Sequence, residues 1–134
     1  MHSVTVTAHL PASPDKVWST VGNPGTISSW HPAITESELD GDGRRCLMAG
    51  GARLKEQIDH VDDANRSYTY RLLSSPLPIS DYVSTFKVVE SGQGSVVEWT
   101  SSFEVSEGPA EEAVGMVKGV YDAGMTALQK SFGG

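Results

Sequence analysis

Glu56 is the residue whose position in this sequence most strongly suggests chemistry. It stands between Leu54 and Ile58 in a segment that alternates apolar and polar residues. Since alternate side chains of a strand point to one face, Glu56 is predicted to point inward with these two neighbours. An unpaired buried charge is costly, so its carboxyl group should be hydrogen-bonded, protonated or solvated by water in a cavity. Such a polar spot suits a ligand carbonyl or hydroxyl group, or an acid–base step.

The alternative for Glu56 is a place at the rim of the sheet, where the carboxylate reaches solvent. Glutamate is rarely fully buried unless it is paired. The sequence alone leaves both interpretations open.

Aromatic and hydroxyl side chains occupy the predicted inward faces of other strands. Alternation places Tyr68 with Tyr70 on one strand, and Tyr82 with Ser84 on the next. The predicted ligand-binding residues are Glu56, Tyr68, Tyr70, Tyr82, Ser84, Phe86, Trp99, Tyr121 and Leu77. Glu56 and Tyr70 are the candidates for a catalytic proton transfer. For most of the aromatic residues, the alternative is that they pack in the hydrophobic core and do not contact a ligand.

The sequence shows no pattern typical of a metal site or of a cysteine nucleophile. The four histidines, His2, His9, His31 and His60, show no metal-ligand spacing, and we predict no metal and no cofactor. His31 could reach a cavity mouth, although a polar residue that ends a helix is the commoner case. The lone Cys46 has no nearby histidine, so a small strand residue is favoured over a nucleophile.

Two segments could govern access to a chamber. Residues 48–52 contain two adjacent glycines, and residues 74–80 carry Leu77 and Ile79 between and beside prolines. Apolar residues on a stiff loop are poorly placed in solvent, so these loops are predicted either to close over a chamber or to cap the core. Both alternatives stay open.

Composition limits the class of protein. The chain has 134 residues, 38% of them apolar, and a net charge of −7. This size predicts one domain over residues 1–134. The negative charge and scattered basic residues argue against nucleic acid, and no apolar run predicts membrane insertion. A cytoplasmic location is expected, with a small hydrophobic molecule as partner and either a monomer or a homodimer as the assembly.

The order of the predicted elements indicates how these residues are positioned. A strand over residues 3–10 precedes two short helices, which begin at Ser13-Pro14 and Asn23-Pro24. Six strands follow without an intervening helix, at 34–39, 44–48, 52–61, 67–73, 81–89 and 95–105. They predict an antiparallel sheet in an α+β fold.

A long helix is predicted from Pro109 to Lys130, followed by Gly133-Gly134. Its apolar stripe includes Val117, Tyr121 and Met125, so it should lie on the sheet. Three glycines within the helix, Gly115, Gly119 and Gly124, predict unfilled volume beside it.

This order resembles the helix-grip fold of the START-like superfamily, which includes the Bet v 1 allergens and polyketide cyclases. Three segments add to the resemblance: Leu10-Pro11-Ala12 through Val17-Trp18, then Trp30-His31-Pro32, and Val97-Glu98-Trp99. The last is similar to a motif of the bacterial polyketide cyclase/dehydrase-like branch. The match in element order covers essentially the whole chain and implies a curved sheet of about seven strands around the C-terminal helix.

The resemblance also implies a function. In plant abscisic-acid receptors, a glutamate and a Tyr-x-Ser help to form the polar network of the cavity, and Glu56, Tyr82 and Ser84 resemble them. It implies binding of a small hydrophobic ligand, for example an aromatic or polyketide-like one, between sheet and helix. The alternative is a cyclase, aromatase or dehydratase that uses the same cavity. Family cyclases often use a cavity arginine, but Arg53 and Arg71 are both predicted to point outward, which argues against cyclisation.

Overall fold

A computed structural model describes residues 1–133 of the chain, so the predicted terminal glycine Gly134 lies outside the described residues. Its elements, in chain order, are β1 (His2–Leu10), α1 (Pro14–Val21), a 3₁₀ helix (Pro24–Ser29), β2 (Ile34–Asp40), β3 (Gly43–Met48), β4 (Arg53–Asp62), β5 (Ser67–Ser74), β6 (Ile79–Ser91), β7 (Gly94–Val105) and α2 (Ala110–Ser131).

All strands belong to one antiparallel sheet in the order β1-β7-β6-β5-β4-β3-β2. Strand β1 pairs with β7, while β2 to β7 pair as consecutive neighbours. The 22-residue helix α2 packs against the inner face, where Tyr121 stacks on Trp99 of β7 with ring centroids 4.2 Å apart. This is the helix-grip arrangement, so the predicted fold class is confirmed.

Local signals in the sequence explain the short helices. The Ser13 side chain accepts a hydrogen bond from the Lys16 amide at 3.3 Å, and Pro14 follows at the first helical position. Asn23 caps the 3₁₀ helix in the same way, by accepting from the Gly25 amide at 2.9 Å. No helix among residues 1–133 is long and apolar enough to cross a membrane.

Strand β6 begins at Ile79, earlier than the predicted Asp81, because Ile79 pairs with Val105 of β7. A register shift follows between Ser80 and Val83, and Asp81 has a φ of +52°. This bulge lets the strand continue into the segment that was predicted to be a loop.

The unfilled volume that the helix glycines predict is not found beside Gly124, because the His31 ring fills that space. A Cβ atom at Gly124 would lie 2.8 Å from His31 Cδ2, so glycine permits a close approach at this position. Gly115 and Gly119 lie on the exposed side of α2, where an added Cβ atom would meet nothing within 4 Å outside the helix's own backbone. These two glycines therefore add no volume to the interior, which corrects the prediction.

Candidate functional site

A cavity of about 180 Å³ lies between the sheet, the 3₁₀ helix and α2. Apolar side chains from each of these elements form most of its wall: Ile27, Ile34, Leu54, Leu72, Val117 and Val120. Almost all of the wall surface is apolar. Such a chamber suits a small apolar molecule.

A buried ion pair lies at this cavity. Arg44 of β3 and Glu56 of β4 stand opposite each other in the strand register and both contribute to the wall. Arg44 Nε donates to Glu56 Oε1 at 2.7 Å, and the two residues are only 1% and 6% exposed. Arg44 thus provides the inward carboxylate with a charged hydrogen-bonding partner.

Further contacts stabilise the Arg44 guanidinium. Nη1 donates to the Pro24 carbonyl at 3.0 Å and to the Tyr68 hydroxyl at 3.3 Å. The guanidinium carbon lies 4.7 Å from the centroid of the Tyr70 ring, within cation–π range. Burial alone lowers the pKa of Arg44, but the charge of Glu56, its hydrogen bond and the nearby Tyr68 and Tyr70 together outweigh burial, so the net pKa is raised and the group stays charged.

Arg44 is the main site residue that the sequence reasoning missed, and the expectation of a cavity without an arginine is wrong. Arg53 and Arg71 are exposed, as predicted. Arg44, however, alternates with Cys46 and Met48, which are apolar residues of the same wall. The rule that placed Glu56 inward would have placed Arg44 there as well.

A chain of hydroxyl groups lies beside the ion pair. Tyr70 and Tyr82 are joined at 3.3 Å, Tyr82 and Tyr121 by a short hydrogen bond, and Tyr121 and Ser84 at 3.0 Å. The Trp99 indole N–H donates to Tyr70 and to Ser84, each at 3.1 Å. Because of their burial, the pKa values of Tyr70, Tyr82 and Tyr121 are raised, so these phenols stay protonated at neutral pH.

The last hydrogen bond in this series of hydroxyl groups determines which group donates in each of the others. Ser84 Oγ donates to the Thr100 carbonyl at 3.1 Å, and a hydroxyl group has only one hydrogen. Tyr121 must then donate to Ser84, Tyr82 to Tyr121, and Tyr70 to Tyr82. Every hydroxyl hydrogen of the chain is therefore used within the protein.

The sequence matches the family model described as "Polyketide cyclase / dehydrase and lipid transport" over residues 1–133. The chain belongs to this family. A search of curated proteins returns no match.

Solved structures share the fold of this member of the polyketide cyclase/dehydrase and lipid-transport family. The protein XoxI from Bacillus cereus is 32% identical with a TM-score of 0.95, over 98% of this chain and 96% of that one. A protein from Bacillus thuringiensis is 31% identical with a TM-score of 0.94, over 98% of both chains. A START superfamily protein from Mycobacterium smegmatis shares the fold, with 14% identity and a TM-score of 0.84 over 98% and 97%.

The predicted site residues of this family member divide into two groups. Six line the cavity: Glu56, Tyr70, Tyr82, Trp99, Tyr121 and Leu77. Tyr68, Ser84 and Phe86 are buried but lie outside the wall. Tyr68 and Ser84 hold wall residues in place through hydrogen bonds, whereas Phe86 packs edge-on against Trp99.

The two predicted access loops both reach the cavity. Met48 and Ala52 contribute from one segment, and Leu77 and Ile79 from the other. Gly51, with a φ of +94°, makes the turn between Met48 and Ala52. These residues form the part of the wall that belongs to loops and strand ends.

His31 is a second residue that sequence reasoning undervalued. It is 1% exposed; Nε2 donates to the Val120 carbonyl at 2.7 Å, and Nδ1 accepts from the Ala33 amide at 3.1 Å. These partners define the neutral tautomer with hydrogen on Nε2. Burial lowers the pKa of His31, so the ring stays neutral as it links the segment after the 3₁₀ helix to α2.

Two other features carry less chemistry. Cys46 lies on the cavity wall, where burial raises its pKa to about 12 and makes the thiol a poor nucleophile.

A wider cleft of about 670 Å³ lies along β2, β3 and β4, and it is lined by side chains of both charges, among them Glu36, Arg45 and Lys55. Within residues 1–133, no group of three His, Cys, Asp or Glu side chains is placed to hold a metal ion.

Proposed function

We propose that this protein binds a small, largely apolar molecule in the cavity between its sheet and α2. The observation that carries the proposal is an apolar chamber of about 180 Å³ with one buried ion pair on its wall. Dry apolar cavities of about 150 Å³ hold benzene. A single aromatic ring with small substituents therefore fits the chamber.

The same proposal assigns access to the two loop segments. Ala52 on one side and Leu77 on the other are wall residues that lie between strands, and Met48 and Ile79 are the strand ends next to them. We propose that residues 48–52 and 74–80 separate to admit the ligand and close over it afterwards.

Titration with p-xylene, followed by amide chemical shifts in NMR spectra, tests the proposal. Val117→Phe fills part of the cavity from α2, whereas Val61→Phe makes the same change at an exposed position of β4. We expect saturable binding to the wild type and to Val61→Phe, and at least tenfold weaker binding to Val117→Phe. Equal affinity for all three proteins would place the binding site elsewhere and refute the proposal.

A second candidate function is an enzyme of the cyclase or dehydratase type. Arg44 favours it, because a cationic group next to Glu56 and Tyr70 can polarise a ligand carbonyl while a carboxylate moves a proton. The test compares the wild type with Glu56→Gln on a small aromatic β-hydroxyketone, with loss of water as the readout. Turnover that depends on Glu56 supports the enzyme, and binding without turnover supports the binding protein alone.

A further inference from the structure

The ion pair at the cavity has one nitrogen and one oxygen without a hydrogen-bond partner among the described residues. Arg44 employs Nε and Nη1 in its contacts with Glu56, Pro24 and Tyr68. Glu56 employs Oε1, which accepts from Arg44 and from the Cys46 thiol at 3.6 Å. Among residues 1–133, neither Arg44 Nη2 nor Glu56 Oε2 has a hydrogen-bond partner, although both side chains are more than nine-tenths buried.

The other polar groups of the wall are already committed. The hydroxyl hydrogens of Tyr70, Tyr82 and Tyr121 are all donated along the chain that ends at the Thr100 carbonyl. The Trp99 N–H is shared between Tyr70 and Ser84. Arg44 Nη2 thus remains as a donor without a partner, and Glu56 Oε2 remains as an acceptor in the other half of the same ion pair.

The Arg44–Glu56 pair on the cavity wall has no net charge, because a guanidinium faces a carboxylate. A ligand carboxylate would gain Arg44 but approach Glu56 with a like charge, and an ammonium would gain Glu56 but approach Arg44. Either ion would also lose its hydration in an almost wholly apolar chamber. An uncharged group that donates and accepts at once meets both free atoms without an added charge.

We propose that the ligand carries such a group, most simply a hydroxyl on its small ring. The hydroxyl donates to Glu56 Oε2 and accepts from Arg44 Nη2, while the ring fills the apolar part of the cavity. This inference rests on the proposed function and deepens it by naming the class of ligand: small, uncharged, hydroxylated aromatic molecules. Hydrogen bonds to charged groups are stronger than those between neutral groups, so the hydroxyl should set the preference.

The test compares p-cresol with p-xylene, which has the same shape but a methyl group in place of the hydroxyl. The ratio of their affinities is measured by calorimetry in the wild type and in the double variant Arg44→Met/Glu56→Leu. We expect the preference for p-cresol to fall at least tenfold in this variant. The control is Arg71→Met/Asp59→Leu, the same replacement in an exposed ion pair, which should leave the preference unchanged.

Glu56→Gln provides a second test, because its amide keeps the acceptor for Arg44 Nε but removes the negative charge. We expect p-toluate, which carries a carboxylate on the same methylphenyl ring, to gain at least tenfold in affinity relative to p-cresol. Asp59→Asn, a neutralised carboxylate on the outer face of β4, should produce no such gain. This variant keeps the inference testable if the double variant does not fold.

The outcomes separate the two levels of the proposal. If p-xylene does not bind the wild type, the proposed function fails. If p-xylene binds but the p-cresol preference is the same in wild type and double variant, only the hydroxyl inference fails. Tighter binding of p-toluate than of p-cresol to the wild type would also overturn it, since Arg44 would then be acting as a simple anion site.

Discussion

Arg44 and Glu56 occupy directly opposed positions of β3 and β4, and their side chains meet at 2.7 Å with almost no exposure to solvent. Removing a buried pair as a whole differs in kind from removing half of it. A single partner left behind is an uncompensated charge, whereas two apolar replacements leave none.

Glu56→Leu should therefore destabilise the protein by about 3–5 kcal/mol, because the Arg44 charge stays buried without its partner. Arg44→Met/Glu56→Leu should recover most of that loss. Urea unfolding of both variants measures the difference. Asp59→Leu, which breaks the exposed pair with Arg71, should have a much smaller effect. A double variant as unstable as Glu56→Leu would contradict this interpretation.

His31 should make stability depend on pH. Burial lowers its pKa in the folded protein below the value of about 6.5 in the unfolded chain. As the pH falls, the unfolded state therefore binds the proton before the folded state does. The contribution of neutral His31 to the free energy of unfolding is present above pH 6.5 and declines as the pH falls below this value. The decline is at most about 1.4 kcal/mol per pH unit.

Urea unfolding between pH 7.5 and 5.5 checks this dependence. His31→Gln retains an amide that can donate to Val120 but does not titrate, so it should lose stability less steeply over this range. His60→Gln, at an exposed histidine, should behave as the wild type does. Identical pH profiles for the wild type and His31→Gln would show that His31 is not responsible.

The glycines of α2 should respond oppositely to alanine. At Gly124 the new methyl group would meet the His31 ring, which two hydrogen bonds hold in place, so Gly124→Ala should cost about 1–3 kcal/mol. Gly119 has open space and ordinary helical surroundings, so Gly119→Ala should stabilise the protein by up to about 1 kcal/mol. Thermal unfolding of the two variants distinguishes them, and a shift in the same direction would contradict the assigned contact.

The direction of the hydroxyl chain predicts unequal effects of its members. Tyr121→Phe leaves the Tyr82 hydrogen without its acceptor and should cost about 1–3 kcal/mol. Tyr70→Phe removes only the first donor of the chain, and Trp99 still donates to Ser84, so its cost should be smaller. Chemical unfolding gives both values. A larger cost for Tyr70→Phe would mean that the chain runs the other way.

Local patterns were sufficient to predict the fold. Strand alternation, the Ser13-Pro14 and Asn23-Pro24 helix starts and the glycine-bearing turns each depend on neighbouring residues, and all of them appear in the structure. The early start of β6 was missed because it depends on pairing between Ile79 and Val105, which are remote in sequence.

The candidate site was only partly predictable. Glu56 was placed inward by its neighbours, but its partner Arg44 was overlooked although Cys46 and Met48 carried the same signal. Helical periodicity likewise places Gly124 on the stripe of Tyr121 and Leu128, and Gly119 off it. The close approach of His31 to α2 depends on how the chain packs in three dimensions, which no local pattern encodes.

Intermolecular NOEs in a complex with p-cresol test the central claim most directly. The account predicts contacts from the ring protons to the methyl groups of Leu54, Leu72 and Val117, with those to Leu54 and Leu72 weakened in Val117→Phe. Saturable binding whose NOEs reach only surface residues, or no saturable binding at all, would contradict it.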